Sequence, residues 1–164
     1  MAKIYVGTYA KYNNGSIFGE WLNAEDYSDK QEFIEACKEL HKDEASPELM
    51  FQDYEEFPSV FYGESDIDSR LWDYLGLDEF DREIVAAWLS ENVLCSKEDL
   101  QSIVDSFTGC YESWESYAEE VTYSSGDVPQ HLEHYIDYEK MGRDMRICSS
   151  GYVEFEGEIW LFEG

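Results

Sequence analysis

Apolar and polar positions along the chain change rhythm several times. Residues 3–10 carry Ile4, Tyr5, Val6, Thr8 and Tyr9, and residues 16–22 carry Ile17, Phe18, Trp21 and Leu22; such β-favouring clusters predict two strands. Asn13, Asn14 and Gly15 between them tolerate positive φ and predict a hairpin turn. Ser28 then reads as a helix cap with Gln31 closing a capping box, and Phe33, Ile34, Cys37 and Leu40 line one face of the helix that follows. A third strand at 49–54, after Pro47, completes a small sheet with one helix laid across it, ending near Pro58.

From Phe61 to about Phe107 the period is helical. One segment starting at Asp78 groups Ile84, Val85, Trp88 and Leu89 while Asp81 and Glu83 face away, and a second, capped by Ser96, stripes Leu100, Ile103, Val104 and Phe107. A short strand at 110–112 then leads into a helix bearing Trp114, Tyr117, Ala118 and Val121, and another helix runs from about Asp137 through Met141 to Met145. The chain closes with a hairpin: Tyr152, Val153 and Phe155, a turn at Glu156 and Gly157, then 159–162. The expected fold class is α+β, as three small modules: sheet plus helix at 1–60, a helical middle at 61–107, and sheet plus helices at 108–164.

Composition changes this picture through charge. Aromatic residues at 16% and apolar residues at 43% are enough to bury a core, unlike a disordered acidic tail. Yet 38 Asp and Glu against 11 Lys and Arg give a formal net charge of -27, more than solubility requires. The excess is concentrated: residues 43–139 hold 26 acids and only three bases, Arg70, Arg82 and Lys97. Adaptation to salt would spread the acids evenly.

Duplex DNA carries one negative charge per about 1.7 Å, so the charge of two such chains, laid along one face, would match about 90 Å of duplex. The acidic span therefore predicts a DNA-like surface for a DNA-binding partner. Its candidate residues are Asp66, Asp68, Asp73, Asp78, Glu79, Asp81, Glu83, Glu91, Glu98, Asp99, Asp105, Glu112, Glu115, Glu119 and Glu120.

Other chemistry finds little support. Asp66 and Asp68 have the opening spacing of a calcium loop, but Arg70, Leu71 and Leu77 occupy positions that need a ligand, a glycine and a glutamate. His131 and His134 are three apart but bring no further ligands, and Cys37, Cys95, Cys110 and Cys148 are too dispersed for a zinc or redox motif. With 38 acids, some carboxylate pair falls at a glycosidase separation in any fold, so that signal carries no weight. No nucleophile elbow or phosphate cradle occurs. The expectation is a protein that is not an enzyme and uses no cofactor or metal. The longest apolar run, 84–89, is far short of the roughly 20 residues of a membrane span, and residues 1–12 lack the apolar centre of a signal peptide, so the chain reads as cytoplasmic.

Three stretches resemble the ArdA antirestriction proteins of plasmids and conjugative transposons. They are Val6 to Trp21 with Gly7, Thr8, Tyr9, Ala10, Lys11, Tyr12, Asn13, Asn14 and Gly15; the acidic helical stretch Asp78 to Leu89; and Val128, Pro129, Leu132, Tyr135, Ile136, Asp137, Tyr138 and Glu139 followed by Gly142, Arg143 and Asp144. The resemblance covers the whole chain. It implies an elongated homodimer, joined through its C-terminal part, that bends like DNA and occupies the DNA groove of a type I restriction-modification enzyme, at its methyltransferase core and specificity subunit, without itself binding nucleic acid. It also implies that Leu132, Tyr135, Ile136, Asp137, Tyr138, Glu139, Met141, Gly142, Arg143 and Asp144 form the antirestriction motif and dimer interface. An acidic decoy or chaperone for other DNA-binding proteins is the alternative.

Overall fold

A computed structural model describes residues 1–95, 99–126 and 128–163. The fold is α+β, with seven α-helices and two three-stranded antiparallel sheets among the described residues. The chain divides into two compact units, Met1–Arg82 and Glu83–Gly164.

In the first unit, β1 (Lys3–Thr8) runs into a short helix α1 (Tyr9–Asn13), then β2 (Glu20–Asn23), α2 (Lys30–Leu40), β3 (Leu49–Glu55) and α3 (Arg70–Gly76). The sheet order is β2-β1-β3, with Ile4 opposite both Leu22 and Tyr54. Alternation buries Ile4 and Val6, and α2 lays Phe33 against Phe51 at 6.1 Å between ring centroids. Trp72 on α3 packs 5.5 Å from Phe33 and donates its indole N–H to the Ala24 carbonyl at 3.2 Å. Burying a side chain such as Phe33 or Ile4 contributes about 1.5–3 kcal/mol.

Two expectations are corrected here. The first strand ends at Thr8, and a helical turn replaces the tight hairpin at 13–15. Thr8 is extended, with φ -133° and ψ 149°, and its Oγ1 accepts from the Lys11 nitrogen at 3.3 Å, so a residue that reads as a strand former acts as a helix cap. Gly15, at φ 78°, releases the chain from that turn, and pairing resumes only at Glu20. The turn is fixed by Lys11, whose Nζ donates to Asp43 Oδ1 at 2.8 Å and to Nδ1 of the fully buried His41 at 2.9 Å, and lies 4.7 Å from the centroid of the Phe18 ring. Secondly, Asp29 rather than Ser28 caps α2, accepting from the Glu32 nitrogen at 2.9 Å, while Ser28 donates its N–H and hydroxyl to the Glu32 carboxylate. Gln31 donates to Glu35 and closes no box.

The helix α4 (Glu79–Glu91) contains the point where the chain divides. It buries Ile84, Val85 and Ala87, with Trp88 and Leu89 half-buried. The second unit continues through α5 (Leu100–Ser106), β4 (Phe107–Tyr111), α6 (Trp114–Ser125), α7 (Tyr138–Cys148), β5 (Tyr152–Phe155) and β6 (Glu158–Phe162), with sheet order β4-β6-β5. The proposed cap Ser96 lies outside the described residues; Asp99 caps α5, accepting from the Gln101 nitrogen at 3.1 Å. Phe107 does not close that helix but opens β4, pairing with Phe162, so the strand expected at 110–112 starts earlier. The terminal hairpin forms where expected, with Glu156 and Gly157 at φ 53° and 88°, the left-handed values a two-residue turn requires.

Candidate partner-binding surface

The fold leaves the acidic candidates facing water. Asp66, Asp73, Asp78, Glu79, Glu83, Glu91, Asp99, Asp105, Glu112, Glu115, Glu119 and Glu120 are exposed, Asp68 and Asp81 are half-buried, and Glu98 lies outside the described residues. Asp66 pairs with Lys30 at 2.7 Å and Asp68 with Arg70 at 2.7 Å. The other twelve described candidates form no ion pair among the described residues.

The bases within the span are spent inside the protein. Arg70 grips Asp68 through Nε and Nη2, and its hydrogen bonds hold that carboxyl below the usual carboxylate range. Arg82 donates to the main-chain carbonyls of Leu75 and Leu77 and to Glu25 at 3.3 Å, so it ties down the end of α3. Lys97 lies outside the described residues.

Helix physics accounts for only part of this acid. Glu79 and Asp81 in the first turn of α4, and Glu115 in the first turn of α6, are favoured there by the helix dipole. Glu91 sits in the last turn of α4, where the dipole opposes it, and Glu115 and Glu119 stand one turn apart on α6 as a like-charge pair that destabilises a helix by a few tenths of a kcal/mol. Neither helix has a base in its last turn to offset them. Local folding therefore gains from the first-turn acids but nothing from Glu91 or Glu119. The candidates fall in both units, Asp66 to Asp81 in the first and Glu83 to Glu120 in the second.

The C-terminal candidates occupy a different environment, on and just before α7. Asp137 caps the helix, accepting from the Lys140 nitrogen at 2.9 Å. Glu139 pairs with Arg143 at 3.1 Å across one turn, and Asp144 is exposed. Met141 turns inward, its sulfur 3.6 Å from the Thr122 hydroxyl of α6, and Gly142 is buried. Ile136 and Tyr138 are half-buried, whereas Leu132 and Tyr135 are exposed, Tyr135 to 84%. Along the helix, Asp137, Lys140, Met141, Asp144, Met145 and Cys148 line an open recess of about 470 Å3. This face mixes both signs of charge with apolar groups, in contrast to the acidic face of α6.

Residues beyond the sequence candidates are equally exposed and acidic, among them Asp53, Glu55, Glu56 and Glu64. They precede the helical stretch on which attention falls when charge is read along the chain. Among the described residues no helix is long and apolar enough to cross a membrane.

No match is found among curated proteins. The sequence profile of one family, described as "Antirestriction protein (ArdA)", matches residues 4–158, which include the acidic span and every helix among the described residues and end at the first residue of β6. The chain belongs to the ArdA family of antirestriction proteins.

Proposed function

We propose that this antirestriction protein works as a DNA mimic. It occupies the DNA-binding groove of a type I restriction-modification enzyme, formed by the methyltransferase core with its specificity subunit, and so protects incoming mobile DNA. The observation that carries the proposal is the set of exposed carboxylates between Asp73 and Glu120 that no base among the described residues neutralises. At neutral pH ordinary carboxylates are ionised, and a groove built to neutralise phosphates meets in them a comparable array of negative charge. Inhibition of this kind is competitive and stoichiometric, without turnover.

A second copy of the chain, associated through α7, would double the array. The mixed charge of Lys140, Arg143 and Arg146 with Glu139 and Asp144, beside exposed Tyr135 and Ile147, supports that face as the contact, because two all-acidic faces would repel.

The deciding experiment titrates the protein against DNA on a purified type I methyltransferase core. Mutual displacement at a fixed stoichiometry is the expected result. Binding undiminished by excess DNA, or substoichiometric loss of restriction activity, would eliminate mimicry.

A further inference from the structure

We propose that the recess between α1, β3 and the turn at 62–65 is a guanidinium-binding site that receives an arginine side chain of the DNA-binding partner. The source of the arginine rests on the mimicry reading above; the site rests on its own geometry.

The recess measures about 400 Å3 and is lined by Tyr12, Met50, Phe51, Gln52, Tyr62 and Glu64. Its walls are held before any ligand arrives. The Tyr62 ring stacks on Tyr54 at 4.4 Å and 26°, and its hydroxyl donates to the Phe51 carbonyl at 2.7 Å. The Phe51 N–H in turn donates to the Glu64 carbonyl at 2.8 Å, fixing that residue's backbone beside the strand. The Glu64 carboxylate itself forms no hydrogen bond or ion pair among the described residues.

Gln52 is the extra residue of a β-bulge, since Tyr5 pairs with Asp53 and Val6 with Phe51. Bulges re-aim side chains, and this one lays the Gln52 amide over Gly7, where a Cβ would stand 2.9 Å from Nε2. The amide nitrogen makes only a 3.8 Å contact with the Met50 sulfur, and the amide oxygen has no donor among the described residues.

A carboxylate, an amide oxygen and tyrosine rings together suit a planar cation. A guanidinium can lay its face on an aromatic ring while its edge donates to a carboxylate in bidentate fashion, whereas an ammonium is a point charge without a plane. No base among the described residues competes: Lys11, next to Tyr12, is held by Asp43 and His41. The surroundings are negative, and the Tyr62 phenol is pushed up by burial and then by Asp53 and Glu64. Proteins that bind DNA present arginines to phosphates, so a groove occupied by a mimic has such side chains to offer.

The test uses the intact protein and N-acetyl-arginine amide, with N-acetyl-lysine amide as the control, followed by NMR. The arginine probe should shift Tyr12, Gln52 and Tyr62 saturably, and Glu64→Gln should weaken that binding about 10-fold. Equal response to both probes, or a Glu64→Gln protein that binds arginine as well as the wild type, overturns the site. In a second arm, Glu64→Gln should weaken inhibition of the restriction enzyme about 10-fold, against a change under about 3-fold for Glu20→Gln, exposed on β2 and outside the acidic span. Should the variant inhibit as the wild type does while the wild-type recess still takes the probe, the partner's arginine is not the ligand and the proposal fails. Mimicry is judged separately, by displacement with DNA.

Discussion

Gly142, in the body of α7, lies directly against the main-chain carbonyl of Trp114 at the start of α6: a Cβ on Gly142 would collide with that carbonyl and stand 2.9 Å from the Glu115 nitrogen. Glycine inside a helix costs about 1 kcal/mol relative to alanine, so the position is unfavourable locally and is justified by the close approach of two helices. Gly142→Ala should therefore destabilise the C-terminal unit by about 1–3 kcal/mol in urea denaturation, because backbone, unlike a flexible side chain, cannot yield cheaply. Gly76 is the control: a Cβ there meets nothing within 4 Å, and Gly76→Ala should be neutral or stabilising. Equal urea midpoints for Gly142→Ala and the wild type would show that the two helices separate without cost.

Acid should expose the Asp68–Arg70 pair. Hydrogen bonds from Arg70 hold the Asp68 carboxyl below its ordinary value, so its folded pKa lies under its unfolded one. The ionised pair thus stabilises the fold above the unfolded carboxylate value of about 3.9, and that contribution is lost as pH falls through the folded value. Protonating the many unpaired acids relieves repulsion over the same range and acts oppositely, so only a difference isolates the pair. The stability gap between wild type and Asp68→Asn should be full near neutrality and shrink towards acid. A gap independent of pH would mean that Asp68 acts through its shape and not its charge.

Elements whose determinants are local were legible in the sequence. The hairpin ending at Phe162 follows from alternating strands around Glu156 and Gly157, and α6 from its apolar positions Trp114, Tyr117, Ala118 and Val121, although its cap Ser113 shows only in the structure. The start of the chain reads differently from its structure because Thr8 and the Asn14–Gly15 pair carry strand and hairpin signals, while the cap to Lys11 and the cage of His41 and Asp43 depend on residues brought together by folding. The acidic span was visible as composition, but the lack of ion pairs among its described members from Asp73 to Glu120 was not, since that depends on where Arg70 and Arg82 point. Gln52 carries no signal at all: nothing in its neighbourhood marks a bulge, and Glu64 joins it only through the bond between Phe51 and Glu64.

Away from the recess at Glu64, a distributed surface should tolerate the loss of any one charge. Glu115 and Glu119 are exposed and unpaired on α6, and Glu79 and Glu83 are similarly exposed on α4. Single neutralisation, Glu115→Gln or Glu83→Gln, should change partner affinity less than about 3-fold, whereas removing four together should weaken it cumulatively and slow association. Titration of single and combined variants against the methyltransferase core checks this. One exposed helical acid whose neutralisation alone abolished inhibition in a folded protein would point to a discrete site in place of a surface.

Salt should act in opposite directions on the free protein and on its complex. A formal charge of -27 creates self-repulsion that opposes compaction, and with most exposed acids lacking a partner, little of it is cancelled inside the fold. Ions screen that repulsion over a Debye length of about 10 Å at 0.1 M, so the melting temperature should rise with salt. In the complex the same carboxylates face a basic groove, and screening weakens the attraction and slows association. The loss of affinity should be shallower than for DNA, whose slope of about -0.9 per neutralised phosphate comes from counterions condensed on a dense, regular polyanion, while carboxylates dispersed over a folded surface hold fewer ions to release. The protein should then gain on DNA as salt rises. Measuring both affinities for one methyltransferase core from low to moderate salt decides it: an affinity indifferent to salt would place the binding energy in shape and apolar contacts, and the electrostatic account of this surface would fall.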